Sequence, residues 1–174
     1  MTTEQRAGWR PMTSDDLDMV LAVADIVHPG YPEDRSIFAE RLELFPAGTA
    51  VAVSDGKAIG YMISHPAILG KPVELNSLLG TLPTKPDCLY LHDVALLPES
   101  RGKGLGQMAL ERLHQVARDQ GLDLLALTST PPARAYWLAM GFVPYLASDP
   151  SIAARLASYG DEMTYMTLPV KGGT

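Results

Sequence analysis

Residues 88–120 read CLYLHDVALLPESRGKGLGQMALERLHQVARDQ, and the order of patterns in this stretch decides the fold. The opening run, 88–96, is almost continuously apolar, which suits a strand buried on both faces. The closing run, 107–120, sets Leu110, Leu113, Val116 and Ala117 at helical spacing and stops at Gly121. Between them lie Gly102, Gly104 and Gly106, three glycines in five residues. Glycine tolerates positive φ and lets a ligand approach the backbone closely. A helix N-terminus adds unpaired N–H groups and about half a positive charge. Together these form a site for phosphate groups, with Arg101 and Lys103 adding full charges beside it. A P-loop reading fails because Gly102-Lys103 is followed by Gly104, not by a hydroxyl residue. A dinucleotide fingerprint is formally met by GLGQMA, 104–109, but the acid Asp123 precedes the next strand when it should end it. That loop also follows about a hundred residues of antiparallel pattern, where a βαβ unit would open the chain.

On the N-terminal side, 9–12 reads as an edge strand, with Thr13 or Ser14 as N-cap of a helix carrying Leu17, Val20, Leu21, Ala24 and Val27. His28-Pro29-Gly30 stops it, and a second helix is expected over 36–44. TAVAVS (49–54) and KAIGYMISH (57–65) form a hairpin around Asp55-Gly56. The segment 66–87 holds four prolines and two glycines and reads as a surface excursion over the substrate site, with a short helix at 73–79. On the C-terminal side, LLALTS (124–129) is a buried strand and 133–140 a short helix capped by Gly141. A strand starts at 142–146, an insertion with some helix fills 147–160, and EMTYMTL (162–168) alternates like a last strand. The predicted fold is a mixed α/β (α+β) domain, single over 1–174 with its core at about 9–168.

Composition narrows the function. The chain has 174 residues, 47% of them hydrophobic and 20% charged, with a mean hydropathy of +0.04, which is the balance of a chain able to bury a core. Its net charge of −6 argues against nucleic acid as a partner. The polar N-terminus and the lack of any long apolar run argue against a membrane and for a soluble cytoplasmic protein. The lone Cys88 excludes an internal disulfide and any multi-cysteine metal centre, and it reads as a small buried hydrophobe.

Arg101-x-x-Gly104-x-Gly106 resembles the [QR]xxGx[GA] motif of the GNAT superfamily of acyl-CoA-dependent N-acetyltransferases. LHDVALLPESRGKGLG resembles that superfamily's strand and loop, and ARAYWLAMGF (133–142) its second motif, a short helix ending in GF. The opening WRPMTSDDL is similar as well. The resemblance implies a mostly antiparallel twisted sheet, flanked by helices, whose two central parallel strands splay apart to admit acetyl-CoA. It places the pyrophosphate on the amides of Gly102, Lys103, Gly104, Leu105, Gly106 and Gln107, beside Arg101, and the pantetheine along Val94, Ala95 and Leu96. A backbone N–H near Ala95 or Leu96 would polarise the thioester carbonyl. No metal is implied, and homodimers are common in such folds.

Acetyl transfer to an amine needs a base, because an alkylamine is mostly protonated at neutral pH. His92 lies in the central strand, with Tyr90 two residues earlier on the same face; acids or histidines stand at these positions in many such enzymes. A histidine held by a core hydrogen bond is the competing reading. Asp93 is expected to point to the opposite face and to hold structure. His28, His65 and His114 show no metal spacing; His114 is expected at the surface and His65 near the sheet's rim. The family's acid is usually a tyrosine four residues before the GF glycine. Here Trp137 holds that place and Tyr136 precedes it, about 100° away around a helix. Trp137 is therefore expected to pack on the cofactor arm, and Tyr136 is the remaining candidate acid. The implied reaction is direct acetyl transfer, in a ternary complex, to the primary amine of a small molecule. A protein N-terminal or lysine acetyltransferase and a non-catalytic acyl-CoA sensor or partner subunit are the alternatives.

Overall fold

The computed structural model describes residues 7–145, 150–157 and 162–172. Its strands are β1 (Gly8–Pro11), β2 (Thr49–Ser54), β3 (Lys57–Ala67), β4 (Cys88–Leu96), β5 (Leu124–Ser129), β6 (Val143–Pro144) and β7 (Thr164–Pro169). The helices are α1 (Leu17–Val27), α2 (Arg35–Leu44), α3 (Leu105–Asp119), α4 (Arg134–Ala139) and α5 (Pro150–Leu156). The strands form one seven-stranded sheet in the order β1-β2-β3-β4-β5-β7-β6. Its described pairs are antiparallel except β4–β5, which is parallel. That pairing ends at Leu91↔Leu127, although the strands run on to Leu96 and Ser129, so the central strands splay as expected.

Two apolar layers hold the helices to the sheet. On one face Ala109, Leu110, Leu113 and Ala117 of α3 pack on Leu89, Leu91, Leu125 and Leu127. On the other, Leu17, Val20, Val23 and Phe38 of α1 and α2 pack on Val51, Tyr61, Ile63 and Ala95. Each fully buried Leu, Val, Ile or Phe among them contributes about 1.5–3 kcal/mol. Ahead of α1, Thr13 N–H donates to Asp16 at 2.8 Å, and Arg10 grips the same carboxylate at 2.8 Å. The Arg10 hydrogen bond holds that carboxyl down at about 2.

Several local expectations are corrected. α3 begins at Leu105, two residues earlier than its apolar pattern suggests, because Gly104 at φ 73° makes the left-handed turn directly before it. No helix forms at 73–79. There Asn76 N–H donates to Glu33 at 3.0 Å, and the amides of Leu79 and Gly80 donate to Glu40 at 2.7 and 3.0 Å. These carboxylates take amides that a helix would have turned inward, and Asn76 adopts φ 56°. His114 is buried, because the C-terminal segment covers it and Lys171 N–H donates to its Nδ1 at 3.1 Å. Of the insertion at 147–160, the described residues 150–157 include α5; the others lie outside the described residues, as does 146.

Candidate active site

The splay of β4 and β5 opens into two adjoining cavities. One, of about 620 Å³, runs along the glycine loop and is lined by Arg101, Gly102, Gly104, Leu105, Gly106 and Gln107. Val94 and Leu96 of β4 and Tyr136 and Trp137 of α4 complete its wall. Gly102 and Gly104 stand at φ 80° and 73°, and a Cβ on either would project into open space. The loop thus presents bare backbone to a cleft able to take a phosphate-bearing chain. Of the residues expected along the cofactor, Ala95 and Lys103 do not line this cleft. Ala95 packs on the far face with Val51 and Tyr61, and Lys103 Nζ donates to Ser54 at 3.2 Å.

The second cavity, of about 130 Å³, lies between the splayed strands and carries the titratable groups. Its wall includes His28, Glu33, His92 and Asp93, together with Leu75 from the 66–87 excursion. Leu91, Val94, Ala133 and Trp137 line both cavities, so the cleft along the glycine loop leads directly to these groups.

The register of β4 explains the arrangement. Ile63 pairs with Asp93 and Ser64 with Leu91, which leaves His92 as the extra residue of a bulge. The expected opposition of His92 and Asp93 is therefore corrected: both reach the segment that joins α1 to α2. His92 Nε2 meets Glu33 Oε1 at 2.8 Å, and His28 Nε2 meets Asp93 Oδ1 at 2.9 Å. Asp93 also accepts the Tyr61 hydroxyl. Burial and then Asp93 hold that phenol well above its ordinary value. Burial opposes the charged form of His28, but the hydrogen bond and charge of Asp93, with smaller contributions from the Val94 carbonyl and Glu33, raise its pKa overall. The sequence offered no sign of Glu33 or of His28 as partners in the site; only the fold brings positions 28 and 33 to 93 and 92.

The remaining candidates separate. Tyr90 lines neither cavity; its hydroxyl shares a 2.7 Å hydrogen bond with Thr128, and burial pushes it up to about 12. Tyr136 stands over the glycine loop, where a Cβ on Gly106 would come within 2.5 Å of its hydroxyl, and it is absent from the wall around His92. Trp137 packs edge-on against Phe142 at the junction of the cavities. His65 is not at the sheet's rim but buried, its ring centre 5.7 Å from that of Tyr90 and 6.4 Å from that of His92, and burial lowers it to about 3. Cys88 is fully buried, as expected, and burial drives its thiol up to about 12. Among the described residues no group of three or more His, Cys, Asp or Glu could hold a metal ion, and no helix is long and apolar enough to cross a membrane.

Residues 18–142 match the model of the acetyltransferase (GNAT) family. The chain belongs to that family. The GNAT chain is 29% identical over 87 residues to the L-2,4-diaminobutyric acid acetyltransferase of Nocardia farcinica, covering 50% of this chain and 37% of that one. It is 31% identical over 84 residues to the streptothricin acetyltransferase of Streptomyces lavendulae, covering 47% and 44%. The chain thus spans less than half the length of these curated relatives. Among solved structures, the GphF GNAT-like decarboxylase in complex with isobutyryl-CoA superposes with a TM-score of 0.74 at 17% identity, over 94% of this chain and 100% of that one. At that identity the likeness establishes the GNAT fold.

Proposed function

We propose that this chain is a cytoplasmic, single-domain N-acetyltransferase that moves an acetyl group from acetyl-CoA to the primary amine of a small molecule, directly and in a ternary complex. The observation that carries this reading is the junction of the two cavities at Leu91, Val94, Ala133 and Trp137. It joins a phosphate-binding loop to a pocket of carboxylate-held histidines. Acetyl-CoA, when bound, supplies an activated thioester. The amides of the glycine loop and Arg101 hold its phosphates, Val94 and Leu96 flank its arm, and Trp137 packs where the arm ends. A backbone N–H near Ala95 or Leu96 polarises the carbonyl. The base is a histidine of the pocket, His92 or His28.

The relatives named above, acetyltransferases of diaminobutyric acid and streptothricin, support a small amine as acceptor. So does the pocket's volume of about 130 Å³. The carboxylates Glu33 and Asp93 at its wall favour a cation. A thiol-release assay with acetyl-CoA over a panel of small amines, N-terminal peptides and lysine peptides tests the reading. Release with small cationic amines is the expected result. Turnover of peptides alone would replace the acceptor class, and acetyl-CoA binding without release would make the chain an acyl-CoA-binding module.

A further inference from the structure

We infer that His28 takes the proton from the incoming amine, that Asp93 and Tyr61 position it, and that His92 serves instead to anchor Glu33; this rests on the acetyl-transfer reading above. Both imidazoles line the same cavity, and both place Nε2 on a carboxylate, at 2.8 Å for His92 and 2.9 Å for His28. An Nε2–H donated to a carboxylate leaves Nδ1 as the nitrogen with the lone pair. The two histidines therefore differ in whether an amine can reach Nδ1.

His92 fails that requirement. Its side chain is 1% exposed, and its Nδ1 is buried without a protein partner. A base must come within about 2.6–3.2 Å of the nitrogen whose proton it removes, or reach it through one water, and an atom with no open surface offers neither approach. Glu33, 6% exposed, is gripped on both oxygens, by His92 and by the Asn76 amide at 3.0 Å. This pair therefore ties the 66–87 excursion to the bulge of β4. His28 closes α1, and its side chain is 31% exposed. Its Nε2 also lies 3.3 Å from the Val94 carbonyl, on the stretch of β4 that lines both cavities. The ring thus sits in the pocket beside Val94, one of the residues the two cavities share.

The surroundings suit an imidazole that becomes a cation. Asp93 faces it from β4, itself fixed by the Tyr61 hydroxyl of β3. Glu33 adds negative charge from the connecting segment, and Asp25 of α1 acts on Tyr61 behind it. His92 and Tyr31 are the other titratable groups on the wall. In the step itself, an ammonium N–H passes to His28 Nδ1. The freed lone pair forms the N–C bond at the thioester carbonyl, and the C–S bond breaks with its electrons on sulfur. The second nitrogen proton goes to sulfur to give the thiol, and His28 releases its proton to solvent at its exposed edge. The products are an amide, the CoA thiol and one proton.

The test uses the best amine of the panel and compares pH–rate profiles of His28→Gln, Asp93→Asn and His92→Gln, with acetyl-CoA affinity and thermal melting as controls for folding. His28→Gln should lower kcat/KM for the amine by roughly 10²–10⁴-fold at neutral pH. The loss should shrink as rising pH deprotonates the amine, and acetyl-CoA affinity should hold. Asp93→Asn should move the acidic limb of the profile to lower pH. His92→Gln should act on KM and leave the limb in place. In protein labelled with 15N-histidine, His28 should titrate from an Nε2–H tautomer whose Nδ1 is bare. An unchanged limb and kcat in His28→Gln, loss of the limb in His92→Gln, or the opposite tautomer at His28 would overturn the assignment. Wild-type protein that binds acetyl-CoA but acetylates no amine would instead overturn the transfer reading, and the base assignment with it.

Discussion

Gly104 carries two demands at once. It makes the left-handed turn at φ 73° that starts α3, and it leaves open space where a side chain would project toward the cleft. Gly104→Val should cost about 1–2 kcal/mol of backbone strain and abolish acetyl-CoA binding while the chain stays folded. Calorimetry that found unchanged affinity would show that the loop is not the phosphate site. The aromatic pair of α4 divides along the same cleft. Tyr136 holds its hydroxyl over Gly106, whereas Trp137 lines both cavities. The departing sulfur needs little help, since a thiol with a pKa of about 8.5 leaves readily near neutral pH. Tyr136→Phe should therefore cost less than about tenfold in turnover, below the usual general-acid effect. Trp137→Ala should mainly raise KM for acetyl-CoA. Steady-state kinetics would reject this division if Tyr136→Phe lost as much kcat as the base variant at unchanged KM.

The excursion between β3 and β4 has its shape imposed by its neighbours. Glu40 of α2 accepts the amides of Leu79 and Gly80 and also pairs with Arg41, which is fully buried and donates to the Ser77 carbonyl. One carboxylate thus serves both a buried cation and two loop amides. Glu40→Ala should cost about 3 kcal/mol, the lower end of what breaking a buried ion pair costs, read as a fall in Tm. Hydrogen exchange should quicken at residues 75–80 and stay slow in β2 and β3. Uniform exchange across the chain would mean that the excursion is held by packing alone. The bulge of β4 shows the same dependence on partners: between the pairs to Ile63 and Ser64 of β3 it carries His92 as an extra residue, and that slip turns His92 and Asp93 toward the segment joining α1 and α2.

Two histidines give the folded chain opposite responses to pH. His65 is lowered from 6.5 to about 3 by burial, so below 6.5 the unfolded chain binds a proton that the folded chain refuses. Stability is then lost as pH falls from 6.5 toward 3, at up to about 1.4 kcal/mol per pH unit. His28 is raised above 6.5, so its contribution is fully present below that value and is lost as pH rises through its folded pKa. Stability from urea melts should peak near pH 6.5. His65→Gln should lessen the acid-side slope between pH 6.5 and about 5, before carboxylates titrate, leaving the share of His114, which burial also lowers; His28→Gln should flatten the alkaline side. A monotonic rise on acidifying below 6.5 would contradict the burial of a neutral His65.

The amino-acid order alone sufficed for what consecutive residues encode. The apolar runs at 49–54, 57–65, 88–96 and 124–129 became strands, and the glycine loop between strand and helix became an open backbone turn facing a cleft, because φ preference and side-chain period are local properties. The family's motifs lie in those same contiguous stretches. Side-chain partners were not legible in this way. His92 looked like an open base beside Tyr90, yet it is sealed against a glutamate 59 positions away. His28 looked like a helix stop, yet it meets Asp93 across the pocket. His114 looked exposed until the C-terminal segment covered it. Each of these outcomes depends on strand register, on one bulge and on which segment packs over which face. Those are set by the summed burial of the whole core, which no local stretch of residues contains.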